Sequence, residues 1–178
     1  MPAIMCTRKF EEALARAGHP WGAKGRPRTP GPGRLGDWAA TLVSENRELV
    51  VALEERTRLS LVVPFLPTED VPRRFAGALR AALRRLGVRS ELVEIECVQI
   101  EVAGIMRIRN RQLSDDLEFA EFETACHGDS QDRESIEDML NAYPYSATDP
   151  EGAAAAVRTI FGVGRTGPEC DRGAGAPG

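Results

Sequence analysis

Three apolar runs of β type follow one another in the middle of this sequence and constrain the fold more than any other feature. They span 38–44, 48–54 and 59–66, and the polar connections between them, 45–47 and 55–58, have the length of hairpin loops. This spacing predicts an antiparallel meander. The next segment, 72–86, places Phe75, Leu79 and Leu83 on one helical face, so it predicts an amphipathic helix that covers one face of the meander.

The flanking segments add short strands and further helices. Strands are predicted at 3–6 and 105–108, and helices at 8–17, 114–125, 134–142 and 152–161, with Ser114 as the N-cap of the second. Segment 91–102 fits a strand through Val93 and Cys97 and a helix through Val98 and Val102; the helix is preferred, with Ser90 as its cap. The fold class is therefore α+β: a small antiparallel β-meander packed against amphipathic helices.

Composition sets the boundaries of the predicted domain. The 178 residues suit a single α+β domain over 1–161, with a disordered Pro/Gly-rich insertion at 19–36 and a disordered tail at 162–178. The longest apolar runs are too short for a membrane span, and the amino terminus lacks a signal-peptide pattern, which predicts a cytoplasmic protein. Four scattered cysteines are then expected to be reduced thiols.

Charge is segregated along the chain. The stretch 73–89 carries six arginines and no acid, whereas 115–138 carries ten carboxylates and one arginine. The two segments could be solvated helix faces, could face each other, or could face partners of opposite sign. The candidate partner-binding residues are Arg73, Arg80, Arg84, Glu118 and Glu121.

Two apparent binding motifs, one for a dinucleotide and one for a metal ion, are rejected because their neighbouring residues do not fit. The glycines of 162–167 match a dinucleotide-binding pattern, but a helical segment precedes them and Pro168 follows, so no cofactor is predicted. Cys126 and His127 are adjacent, point in different directions on a helix and lack a second ligand pair, so no metal is predicted. No serine or cysteine nucleophile stands in a nucleophile-elbow pattern with a base, and no catalytic residue is assigned.

A short basic stretch is the one feature that points to nucleic acid. Lys24, Arg26 and Arg28, with the glycine and proline between them, resemble an AT-hook, in which an extended Gly-Arg-Pro core lies in the minor groove. A flexible basic loop is the structural alternative. These three residues are the candidate nucleic-acid arm.

Three stretches together resemble a known family. They are Cys6-Thr7-Arg8-Lys9-Phe10, the segment from Leu35-Gly36-Asp37-Trp38 through Thr57-Arg58-Leu59-Ser60 to Leu86-Gly87-Val88, and Asn110 to Phe119. The chain resembles, from about Ile4 to about Tyr145, the bacterial and phage family catalogued as domain of unknown function sixty-nine thirty-three, which is related to the amino-terminal region of plasmid open-reading-frame-three-like proteins. The resemblance implies the fold and a setting in mobile elements; it implies no reaction.

The resemblance also carries over a set of polar positions: Thr7, Lys9, Asp37, Trp38, Thr57, Arg111 and Asp116. Each has a structural interpretation, with Trp38 as a core anchor, Asp37 and Thr57 as turn residues, and Arg111 paired with Asp116. In the functional interpretation, Lys9, Arg111 and Asp116 form a candidate polar cluster with Thr7 and Thr57.

Two functions are consistent with these observations. The favoured one is a non-enzymatic interaction or regulatory module of a bacterial mobile element or phage, antitoxin-like or related to defence or anti-defence, that binds a protein partner. The alternative is a nucleic-acid-binding or phosphate-processing protein in which Lys9, Arg111 and Asp116 converge on a phosphate. Their convergence in the fold separates the two hypotheses.

Overall fold

A computed structural model of the protein describes residues 2–18, 33–43, 49–67, 71–127, 132–145 and 152–164. Within these ranges the chain forms a five-stranded sheet with helices on both faces. The strands are β1 (Ala3–Cys6), β2 (Trp38–Leu42), β3 (Leu49–Glu54), β4 (Ser60–Pro64) and β5 (Gly104–Arg107). The helices are α1 (Arg8–Arg16), α2 (Val71–Arg85), α3 (Ser90–Glu101), α4 (Arg111–His127), α5 (Arg133–Ala142) and α6 (Gly152–Phe161).

The predicted meander is the centre of a larger mixed sheet. The strand order is β4-β3-β2-β1-β5, and β2, β3 and β4 pair antiparallel as expected. The short strands β1 and β5 extend this meander, because β1 pairs parallel with both β2 and β5. The α+β class is confirmed, with the addition of parallel pairing on one side.

Alternation along the strands gives the sheet two apolar faces, since successive side chains of a strand point to opposite sides. One face carries Ile4, Trp38 and Ala52 and packs against α1, α2, α3 and α6. The other face carries Met5, Val51 and Val62 and packs against α4 and α5. The sheet is thus the middle layer of three.

The helix predicted at 72–86 packs against the meander as expected. Phe75 is fully buried, and its ring meets the Trp38 ring edge to face with 5.1 Å between the centroids. Burying one phenylalanine side chain contributes about 1.5–3 kcal/mol. Trp38 is therefore the core anchor that the sequence analysis assigned to it.

Segment 91–102 is helical, because the buried residues Val93, Cys97 and Ile100 of α3 recur at helical spacing. Two predicted caps are wrong. Arg89 is the N-cap of α3 and makes no side-chain cap bond, so Ser90 is the first helical residue. Helix α4 starts three residues before Ser114, and the Asn110 Oδ1 atom accepts the Leu113 amide at 3.2 Å.

The described ends of the insertion and of the tail are tied to the core. The Arg34 amide donates to Glu96 Oε1 at 2.5 Å and the Gly36 amide to Glu54 Oε1 at 2.5 Å, so residues 33–36 belong to the folded part. After α6, the Val163 amide donates to the Arg158 carbonyl and Gly162 has a φ of 66°, which is a glycine-terminated helix end. The rest of the predicted insertion and tail, 19–32 and 165–178, lies outside the described residues.

Candidate functional site

Helix α4 carries polar side chains toward two separate clusters, and the first surrounds Asp116. The Arg58 Nε atom lies 2.7 Å from Asp116 Oδ2, and Gln112 Nε2 donates to Asp116 Oδ1 at 3.0 Å. The two charged side chains are 18% and 9% exposed. This mostly buried ion pair fixes the first half of α4 against the loop between β3 and β4.

The loop that presents Arg58 is built around a buried carboxylate. Glu54 is fully buried and accepts the amides of Arg56 at 3.0 Å and Thr57 at 2.6 Å. The Thr57 hydroxyl donates to the same carboxylate at 2.7 Å and accepts the Leu59 amide at 3.1 Å. Thr57 is thus a turn residue. Within this loop, Arg58 has a φ of 60°, a left-handed conformation that disfavours residues with a Cβ atom.

The second cluster lies farther along α4, at Glu121. Lys9 Nζ lies 3.0 Å from Glu121 Oε1, and the Thr41 hydroxyl donates to Glu121 Oε2 at 3.2 Å. The Thr7 and Thr41 hydroxyl oxygens are 2.9 Å apart, and Thr7 also caps α1 by accepting the Phe10 amide. Thr7 and Lys9 therefore share one cluster, and it holds the start of α1 against α4.

The structure does not bring Lys9, Arg111 and Asp116 together. Lys9 pairs with Glu121, whereas Asp116 pairs with Arg58, so the expected ion pair between Arg111 and Asp116 is wrong. Arg111 is exposed at the start of α4, ten residues or about 15 Å along the helix axis from Glu121. The convergence that the phosphate hypothesis requires is absent from these contacts. The candidate nucleic-acid arm, Lys24, Arg26 and Arg28, lies outside the described residues.

Most arginines of α2 are engaged within the protein. Arg80 binds Glu94 with two nitrogens at 2.9 and 2.8 Å, and Arg84 reaches the same carboxylate at 3.3 Å. The hydrogen bonds that Arg80 donates to the Glu94 carboxylate raise the pKa of Arg80. Arg85 pairs with Glu134 at 3.0 Å and Glu137 at 3.2 Å. The arginine-rich and acidic segments thus face each other through Arg85. Arg73 is exposed.

The acidic segment keeps unpaired charge on the solvent side of α4. We call Asp115, Glu118, Phe119 and Phe122 the outer face of α4, because their i, i+3, i+4 and i+7 spacing places them on one stripe. Asp115 and Glu118 are exposed and form no ion pair with any described residue. Phe122 is 63% exposed, and Phe119 stacks on Tyr143 with 4.1 Å between ring centroids. This stripe combines aromatic and acidic side chains.

Two features were not predicted from the sequence, and they lie on α5 and in the segment directly after it. The Phe119 ring belongs to an aromatic cluster with Tyr143 and Tyr145, and burial raises the pKa of Tyr145 to about 12. In addition, Glu137 and Asn141 bind the outer backbone edge of β4. The aromatic residues within the acidic helix α4 were the sequence signal from which the aromatic cluster could have been predicted. The contacts of Glu137 and Asn141 with β4 leave no signal in the sequence pattern.

Two observations concern metal ions and membranes. In the part of the chain that the structure describes, no three His, Cys, Asp or Glu side chains cluster closely enough to hold a metal ion. Cys6, Cys97 and Cys126 are free thiols, and only Cys126 of these three is exposed. Among the described helices, none has the length and apolar character that crossing a bilayer requires.

The fold defines the class of protein: an α+β protein whose mixed sheet lies between two helical layers. The chain belongs to the family described as Domain of unknown function (DUF6933), whose model matches residues 3–153. The resemblance inferred from the sequence is thereby confirmed at the level of the family. Comparison with the curated proteins and with the solved structures gives no match.

Proposed function

We propose that the protein is a non-enzymatic interaction module of a bacterial mobile element or phage, acting in the cytoplasm and binding a protein partner through the outer face of α4. One observation carries this proposal: Phe122 is 63% exposed on the same helical stripe as two carboxylates that have no ion-pair partner among the described residues. Aromatic side chains are enriched at protein interfaces, where a polar rim surrounds an apolar centre.

The competing surface on α2 fits a partner less well. Arg80 and Arg84 are both bonded to Glu94, so a partner would have to displace this carboxylate before it could use them. Glu121 is likewise bonded to Lys9 and Thr41. Of the five candidate partner-binding residues, this leaves Glu118 and Arg73 as the ones that a partner could engage without breaking a described ion pair.

The chemistry of the outer face of α4 specifies the kind of partner. Asp115 and Glu118 would attract lysine or arginine side chains, and an apolar side chain of the partner would cover Phe122. Such charges raise the rate of association and make it dependent on salt, whereas burial of an aromatic ring supplies affinity. We therefore infer a basic protein surface with an apolar residue near its centre.

Affinity purification from the native host tests the proposal with two matched double variants. Phe122→Ser with Glu118→Gln removes one exposed apolar group and one charge from α4, and Val98→Ser with Glu101→Gln makes the same change on α3. All four side chains are exposed, so both variants should keep their melting temperature.

We expect a basic protein, resistant to nuclease treatment, to be recovered with the native chain and with the α3 variant. The α4 variant should deplete it by about tenfold or more, as loss of a central aromatic contact implies. Equal recovery with both variants would assign the contact to another surface. Repeated recovery of no macromolecular partner would refute the proposal.

A further inference from the structure

A cleft of about 340 Å³ opens between α2, α5 and α6. This volume lies at the small end of the range of roughly 300–1,000 Å³ that is usual for ligand sites. The space exists because each of the three helices presents an alanine there, Ala82, Ala142 and Ala154. Leu59 and Leu86 complete an apolar lining.

Two of the three polar residues that line the cleft are already engaged. The Asn141 amide accepts the Ser60 amide at 2.7 Å and donates to the carbonyls of Ser60 at 3.1 Å and Glu137 at 2.8 Å. Arg85 holds two carboxylates, as described above. The Asn141 amide cannot turn to a ligand without losing these bonds, and the charge of Arg85 is balanced by the two carboxylates.

The third polar residue, Asp138, is exposed and has no hydrogen bond or ion pair with any described residue. Its carboxylate is thus the group of the lining that is available to a ligand. The charge around the cleft is net negative, because the two arginines Arg85 and Arg133 stand against the three carboxylates Glu134, Glu137 and Asp138. An apolar cleft with a free carboxylate at its rim favours a cation with an apolar body.

We propose that this cleft binds a small organic cation, an ammonium group on an apolar body, with the ammonium on Asp138 and the body between Ala82, Ala142 and Ala154. The cleft shares no residue with the outer face of α4, so the inference is independent of the proposed function. A free amine and a lysine side chain of another protein have this chemistry in common.

Titration of the ¹⁵N-labelled full chain, followed by amide chemical shifts, tests the inference with three probes. They are n-hexylamine, n-hexanoate as the anion of equal length, and Nα-acetyl-lysine methylamide as the side-chain mimic. We expect n-hexylamine to shift the amides of residues 82, 138 and 142 in a saturable manner, and n-hexanoate to leave them unchanged. Tighter binding of n-hexylamine would identify the natural ligand as a free amine. Tighter binding of the lysine derivative would identify it as a lysine side chain of another protein.

Three variants complete the test. Asp138→Asn should weaken n-hexylamine binding by about threefold or more, the effect of losing a partly exposed ion pair. Ala142→Leu should abolish binding by filling the cleft, and Glu101→Gln, an exposed carboxylate on α3, should leave it unchanged. Equal binding of the hexanoate, no effect of Asp138→Asn, or no saturable shift at all would overturn the inference. If Ala142→Leu fails to fold, the Asp138→Asn variant and the comparison of n-hexylamine with n-hexanoate still test the inference.

Discussion

Replacing Arg58 with alanine tests whether the buried ion pair holds α4 against the loop between β3 and β4. The substitution leaves the Asp116 carboxylate, 9% exposed, with Gln112 as its one remaining described partner. Breaking a buried pair by removing one member costs about 3–5 kcal/mol, because a charge stays buried without compensation. Since the Gln112 bond remains, we expect a loss of about 3 kcal/mol in the free energy of unfolding.

Glycine at the same position separates the ion pair from the backbone conformation. Arg58 has a φ of 60°, where a residue with a Cβ atom is strained and glycine is not. Arg58→Gly loses the same ion pair but should be about 1 kcal/mol more stable than Arg58→Ala. Asp116→Ala should lower the free energy of unfolding by about 3 kcal/mol in the native chain, but by only about 1 kcal/mol in a chain that already carries Arg58→Ala. The difference, about 2 kcal/mol, is the coupling energy between the two side chains.

Urea unfolding followed by circular dichroism measures these differences, provided that the slope with denaturant is the same for all variants. A loss of 3 kcal/mol corresponds to a fall in melting temperature of roughly 6–12 °C for a chain of this size. Equal stability of the alanine and glycine variants within about 0.3 kcal/mol would refute the argument from φ. A coupling below about 0.5 kcal/mol would show that the ion pair does not hold α4.

Two further predictions concern groups that burial perturbs. Burial raises the pKa of Glu137 above its ordinary value of 4.5. The stability that Glu137 contributes through this shift is therefore fully present below pH 4.5. It is lost as the pH rises through the pKa that Glu137 has in the folded chain. Glu137→Gln should therefore cost more stability at pH 4 than at pH 7 in urea unfolding, and equal costs would contradict this. Burial also raises the pKa of the Cys6 thiol to about 12, whereas Cys126 is exposed. Iodoacetamide should label Cys126 in the folded chain and Cys6 only after unfolding, as peptide mass spectrometry would show; equal labelling of both would refute the burial argument.

The sequence predicted the elements whose signals are local. The three meander strands and α2 were recognisable because strand period, loop length and helical stripe are all read within about fifty residues. Pairing partners over longer separations leave no such pattern. Nothing in residues 3–6 indicates that β1 lies between β2 and β5, because that arrangement depends on contacts with residues 38–40 and 104–107. The mixed character of the sheet was therefore missed.

The candidate polar cluster failed for a reason that helical geometry explains. Arg111 and Asp116 are five residues apart, which turns their side chains about 140° away from each other on α4, so one is exposed when the other is buried. Once α4 includes both residues, their ion pair is excluded. The true partner, Arg58, was within the matched stretches but stands where glycine or asparagine is usual, and its role depends on a loop conformation that sequence periodicity does not describe.

Helix α5 shows how much of the acidic segment serves the fold. Glu137 Oε1 accepts the Val62 amide at 2.9 Å, and Asn141 binds both the amide and the carbonyl of Ser60. Four residues of helix rise about 6 Å and two residues of strand about 6.7 Å, so these side chains match the backbone repeat of β4. They cover a sheet edge that would otherwise offer unpaired groups to another chain. Since Glu137 and Asp116 are committed to the fold, the count of ten carboxylates overstates the charge available to a partner, which on α4 is concentrated at Asp115 and Glu118.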